Sequence, residues 1–296
     1  RAEADARARD TFKIVADSFI KKYAKGKLRP KTIIGYEFTL NKLCADWHSR
    51  PIAGIQRKDV IALIDDLEAQ EKHATARLTL AYLKRFFGWC GERDILTIER
   101  TPRVKVNSVS STRDRVLSEQ ELAQVWKASE EIGGPEGAIV KTFILTGQRR
   151  TETSLMKWAD LKDLDGSNPL WLIPKENSKN KRLHDVPLSP EAVEIIKSMP
   201  KFEGCPFVFT HGKTALNGFP KLKTRLDEKI GEENEKGIAE WTYHDLRRTM
   251  ATKMNDMGLA RESVVEAILN HVSGHKRGVA GVYNRAAYLE ERRKAL

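Results

Sequence analysis

Hydrophobic residues recur at helical spacing through the first third of the chain. Phe12, Val15 and Phe19 share one face, Tyr36, Leu40 and Leu43 a second, and Val60, Leu63, Ile64 and Leu67 a third. A longer helix is expected from near Thr75 to Cys90. Its apolar stripe is Leu78, Tyr82, Phe86 and Trp89, with Lys84 and Arg85 between, and Gly91 stops it. No strand-type alternation interrupts this region, so residues 11–99 predict a compact bundle of about four helices. Residues 100–116, RTPRVKVNSVSSTRDRV, carry no stripe and read as a basic linker.

The pattern changes from Leu117. Ser118 and Glu121 form a capping-box signature ahead of Leu122, Val125 and Trp126. Further helices are expected over 138–145 and 152–158. Residues 170–173 and 186–188 read as the strands of a β-hairpin, with the polar stretch KENSKNKRLHD between them as a basic tip. Ser189, Pro190 and Glu191 open another helix as N-cap, first-turn proline and first-turn acid. Residues 207–209 read as a short buried strand. From Phe219 the pattern is helical, with a charged break at 231–234. The fold class is therefore mainly α with a small β-hairpin: a helical domain over 11–99 and an α+β domain over 117–296. The Ala- and Arg-rich residues 1–10 read as the tail of a helix entered midway, which predicts a missing upstream part. The final YLEERRKAL reads as a helix cut before its natural end.

Charge sharpens this picture. The 296 residues carry 52 Lys and Arg against 41 Asp and Glu, a net charge of +11. Such a surplus attracts phosphate backbones, although solubility is its ordinary alternative. No apolar run is long enough to span a bilayer, and no secretory signal is expected. Cys44, Cys90 and Cys205 are odd in number and far apart. They predict a reducing compartment, and they cannot build a disulfide framework or a Cys-rich zinc site.

Several candidate chemistries fail on spacing. Gly212-Lys213-Thr214 resembles the end of a phosphate-binding loop, but Phe207 stands where its first glycine is needed. His271 and His275 are four apart, yet Gly274 breaks a helix there and no zinc-protease pattern surrounds them. No carboxylate cluster fits a two-metal nuclease. What remains is Arg149 in TGQRRTET, Lys179 in the hairpin tip, His244 and Arg247 in HDLRR, His271 in LNH, and Tyr283 in VYNR. Each alone has an ordinary reading as a solvated cation, an exposed turn lysine or a core aromatic.

In this order and these contexts they resemble the tyrosine recombinases, the family of phage and genomic-island integrases, across residues 117–290. Arg149 matches the family's first arginine, and Glu152 the acid that buttresses it. Lys179 matches the hairpin lysine, His244 and Arg247 the His-x-x-Arg pair, His271 the following histidine, and Tyr283 the nucleophile. Asn270 stands where the family usually has glycine. Arg150, His275 and Tyr288 stay open as rivals of Arg149, His271 and Tyr283. The helical first domain is similar, more weakly, to the family's core-binding domain.

The residue types suit phosphoryl transfer without a metal or nucleotide cofactor. Guanidinium groups are always charged and bind phosphate bidentately, so Arg149 and Arg247 would stabilise charge developing on the non-bridging oxygens. The resemblance implies further roles: Lys179 as general acid, His244 as base or hydrogen-bond partner of the tyrosine, His271 as phosphate donor and Glu152 as support. It also implies a 3′-phosphotyrosine intermediate on double-stranded attachment sites and a tetramer on DNA. The segment after Tyr283 would pack on a neighbouring subunit, while the sequence leaves open which DNA-bending and directionality factors, if any, take part. A bacterial cytoplasmic setting is expected. A type IB topoisomerase or resolvase would share the chemistry, and a non-catalytic DNA-binding protein would retain only the charge.

Overall fold

The computed structural model describes residues 10–96, 104–106, 113–178, 180–234, 237–271 and 288–296. The chain divides into two compact units, Arg1–Thr112 and Arg113–Leu296.

In the first unit, α1 (Phe12–Phe19) starts at Thr11, whose hydroxyl accepts from the Ile14 amide. It widens into a π turn at Ile20–Ala24 and ends at Lys25–Lys27. A proline in the first turn opens α2 (Pro30–Phe38), which also runs into a π turn at Thr39–Leu43. Next come α3 (Arg57–Ala69) and α4 (His73–Gly91). Aromatic rings hold the bundle together: Phe19 meets Phe86 and Trp89 edge-on, with centroids 5.4 and 5.3 Å apart. The expected stripe of α4 is displaced. Leu78 is 51% exposed, while Ala76, Leu80, Leu83, Phe87 and Cys90 are buried beside Phe86 and Trp89. Tyr82 lies at the edge of that face, tilted on Tyr36 at 4.2 Å over the space left by Gly35, so Leu78 one turn earlier falls outside the packing. Val104, inside the expected linker, is buried in this same core.

The second unit begins with α5 (Glu119–Ile132), which carries the Ser118–Glu121 capping box. It packs on α6 (Gly134–Thr146) and is followed by a single-turn helix, α7 (Arg150–Ser154). The helix expected over 152–158 is thus shorter. After Ser154 the backbone turns away to pair at long range: the Val208 amide donates to Met156 and the Trp158 amide to Pro206. For the same reason Phe207 forms an isolated bridge to Lys157, and residues 207–209 build no strand. The hairpin strands β2 (Leu170–Ile173) and β3 (His184–Pro187) pair antiparallel with Trp171 opposite Val186 and Ile173 opposite His184. A two-residue β1 (Leu161–Lys162), which has no sequence signal of its own, adds to β2.

Ser189 caps α8 (Pro190–Lys197). The helix α9 (Phe219–Glu233) runs through Gly231 and breaks only at Asn234. Then come α10 (Tyr243–Asp256), α11 (Glu262–Ile268) and α12 (Leu289–Ala295). The last of these packs on α11 and β3, where Arg292 is buried and donates to the Asp185 carbonyl at 2.5 Å. Among the described residues no helix is long and apolar enough to cross a membrane.

Candidate active site

Two segments build the cleft. The first is the turn that ends α6. Gly147 adopts φ +61°, and a Cβ there would sit 2.1 Å from the Met250 sulfur, so glycine is required. Gln148 is buried and donates from its amide to the Ile268 carbonyl at 2.9 Å. Arg149 then stands as N-cap of α7. Its guanidinium meets Glu152 at 2.9 Å, and the same carboxylate accepts from the Arg149 backbone amide at 3.3 Å. Glu152 is almost fully buried, so it fixes the arginine from beneath while leaving it partly open to solvent.

The second segment is α10. Thr242 and Asp245 close a capping box at its N-terminus. His244 and Arg247, three apart, share one face. Arg247 is 3% exposed and donates to the Gly147 carbonyl at 2.7 Å and to the Leu269 carbonyl. Burial, then the positive charge of Arg149, push its guanidinium down to about 9, so it stays cationic at neutral pH. Burial followed by Arg247 and Arg248 lowers the His244 imidazole, which is neutral at pH 7. The adjacent Arg248 turns the other way, to Asp245 and the Arg115 carbonyl. Arg113 joins Asp245 at 3.0 Å, so residues of the expected linker are built into this unit.

Together Arg149, His244 and Arg247 line an open cleft of about 370 Å³, with Arg150, Thr151 and Thr242 at its rim. The first turns of α7 and α10 both border it. Such a cleft suits a phosphate-sized anion. Arg150, the rival of Arg149, also borders the cleft, but its guanidinium lies over the Phe219 ring at 5.1 Å.

His271 does not line this cleft. It borders a separate groove between α10 and α11, where its Nδ1 is 3.0 Å from Glu266. It stays linked to the site through the chain, since Leu269, two residues earlier, holds Arg247. Lys179, Tyr283 and His275 lie outside the described residues. The neighbours of Lys179 are described: Asn180 donates to the Asn270 carbonyl, and Asn270 donates from its amide to Ser178 at 3.1 Å. Tyr288, the rival tyrosine, begins α12 with its ring under the Arg261 guanidinium at 4.9 Å. Among the described residues no group of three or more His, Cys, Asp or Glu side chains could hold a metal ion.

Sequence reading missed His184. It is buried at the head of β3, with Nε2 3.0 Å from the Ile268 carbonyl. Its signal was available, because period-two alternation puts His184 on the same inward face as Val186. Gln148 had no such signal, because its partner is far along the chain.

Residues 115–289 match the phage integrase family, and residues 16–93 match the N-terminal SAM-like domain of phage integrases. The chain is 31% identical over 255 residues to the prophage integrase IntZ of Escherichia coli, covering 82% of this chain and 59% of that protein. It is 24% identical to the integrase of Shigella phage Sf6, covering 89% and 69% of the two chains. The chain thus spans less than two thirds of the first of these relatives. In fold it is similar to a lambda integrase tetramer bound to a Holliday junction, with TM-score 0.73 at 18% identity over 92% of this chain and 80% of that one. It is also similar to the Tn1549 transposon integrase in complex with circular intermediate DNA, with TM-score 0.68 at 16% identity over 89% and 92%. With residues 115–289 alone making up more than half its length, the chain belongs to the phage integrase family.

Proposed function

We propose that this chain is the DNA-handling and catalytic part of a site-specific recombinase that cuts and rejoins double-stranded DNA through a 3′-phosphotyrosine. The observation that carries this reading is the cleft in which Arg149, seated on Glu152, and Arg247, seated on two backbone carbonyls, stand together with a neutral His244. Tyr283 is the nucleophile: its Oη–phosphorus bond forms as the bond from phosphorus to the 5′-oxygen breaks. The tyrosine proton passes to a base, with His244 in that role, and the leaving 5′-oxygen takes a proton from Lys179. The bonds of Ser178 and Asn180 to Asn270 support this assignment of Lys179. Tyr288, with its ring under Arg261 at the head of α12, is the rival nucleophile. His271 supports the site from the α11 side.

The partners are attachment-site DNA, three further copies of the chain on that DNA, and DNA-bending and directionality factors. The setting is the bacterial cytoplasm, on nucleoid DNA. The DNA in the structural neighbours, one of them a tetramer on a Holliday junction, supports the DNA and the further copies. The test is a covalent trap on nicked duplexes drawn from the element's own junctions, with chelator present, for wild type, Tyr283→Phe and Tyr288→Phe. A protein–DNA adduct lost only in Tyr283→Phe is expected. Loss in Tyr288→Phe alone would move the nucleophile. Absence of any adduct despite DNA binding would favour the non-catalytic alternative.

A further inference from the structure

The C-terminus of α11 is a meeting point of three donors, of which the reaction scheme uses only Arg247. A helix leaves its last carbonyls without intrahelical partners. Here the Ile268 carbonyl accepts from Gln148 at 2.9 Å and from His184 at 3.0 Å, and the next carbonyl, Leu269, accepts from Arg247. The three donors come from three different parts of the second unit: the turn before Arg149, the strand β3, and α10. A carbonyl can only accept, so His184 must carry its proton on Nε2. Its ring is 6% exposed, and burial, then the charge of Arg292, hold it neutral.

We propose that His184 is a positioning residue for the cleavage reaction: its Nε2–H fixes the Ile268–Leu269 carbonyl pair, and through it the guanidinium of Arg247. The inference rests on the proposed function, because it assigns His184 to the step in which Arg247 meets the phosphate. Loss of the donor leaves the imidazole's hydrogen bond to Ile268 unmade and lets the end of a seven-residue helix shift. Arg247 takes one of its two anchors from that end, so the shift reaches the cleft.

The test compares wild type with His184→Gln, which keeps a side-chain N–H donor, and His184→Leu, which does not. Single-turnover adduct formation is measured on a phosphodiester junction and on the same junction with a methylphosphonate at the scissile position, where a methyl group replaces one non-bridging oxygen. DNA affinity and thermal unfolding are followed in parallel. His184→Leu should slow phosphodiester cleavage about tenfold with DNA affinity unchanged, the size expected for one lost hydrogen bond. His184→Gln should recover most of that rate. The deficit should shrink on the methylphosphonate, which carries less charge for Arg247 to stabilise. Gln148→Met removes the other donor to the same carbonyl and should reproduce the pattern if His184→Leu fails to fold. Equal losses on both substrates, a wild-type rate in both donor-less variants, or no recovery in His184→Gln would overturn the proposal. A wild type that forms no adduct on either junction would overturn the proposed function and this inference with it.

Discussion

The guanidinium of Arg247 donates to the carbonyl of Gly147 at 2.7 Å, which ties the first turns of α10 to the turn that launches Arg149. Gly147 can hold that carbonyl in place because it adopts φ +61° and leaves room for Met250. Gly147→Ala should therefore cost about 1–3 kcal/mol through left-handed strain and overpacking. Adduct formation should fall as well, since the anchor of Arg247 moves. A thermal melt and the covalent trap on one preparation check both effects; an unshifted melt would refute the first.

Arg247→Lys should abolish most cleavage while leaving the unit folded. A lysine offers a compact charge and cannot hold the Gly147 and Leu269 carbonyls while presenting a planar fork to phosphate. The expected loss in adduct formation is about 100-fold or more, the range for removing one preorganised donor to developing charge. Single-turnover rates at saturating protein read this directly.

Glu152→Gln keeps an oxygen acceptor beneath Arg149 but removes the charge. Because Glu152 is nearly fully buried and accepts from both the guanidinium and the backbone amide, the expected cost is about 1–3 kcal/mol in urea unfolding. Cleavage should fall further than DNA affinity, because the displaced cation is Arg149.

The second unit should lose stability as pH drops below 6.5. The His184 imidazole is lowered from 6.5 to about 3 by burial, then Arg292. Between those values the unfolded chain binds a proton that the folded chain does not, so acid favours unfolding. The contribution approaches about 1.4 kcal/mol per pH unit. Paired carboxylates such as Asp245 and Glu121 lose stability in the same direction at lower pH. The difference between wild type and His184→Gln isolates the imidazole. Urea titrations at several values between pH 4.5 and 7 should show a shallower slope for the variant.

Much of this was legible in the sequence because it is local. The Ser118–Glu121 box, the Ser189-Pro190 start and the facing positions of Phe12, Val15 and Phe19 depend on neighbours within a few residues, and each appears as expected. Long-range pairing was not legible. The chain leaves α7 early because Met156 and Trp158 find partners at 206–208, and β1 exists only as a partner for β2. The same divide runs through the site. Spacing put His244 and Arg247 on one face, but it could not tell that Arg248 would turn to Asp245, nor that His271 would face Glu266 outside the cleft.

The carbonyls at the end of α11 also govern when the cleft can exist during synthesis. Arg149 and Glu152 emerge from the ribosome first, Arg247 later, and the Leu269 carbonyl that seats Arg247 later still. Until α11 docks, the cations are carried on separate pieces of chain with no shared geometry. A truncated or half-folded chain therefore carries positive charge without the assembled cleft. A cell translating this sequence meets the assembled cleft only once the second unit is essentially complete.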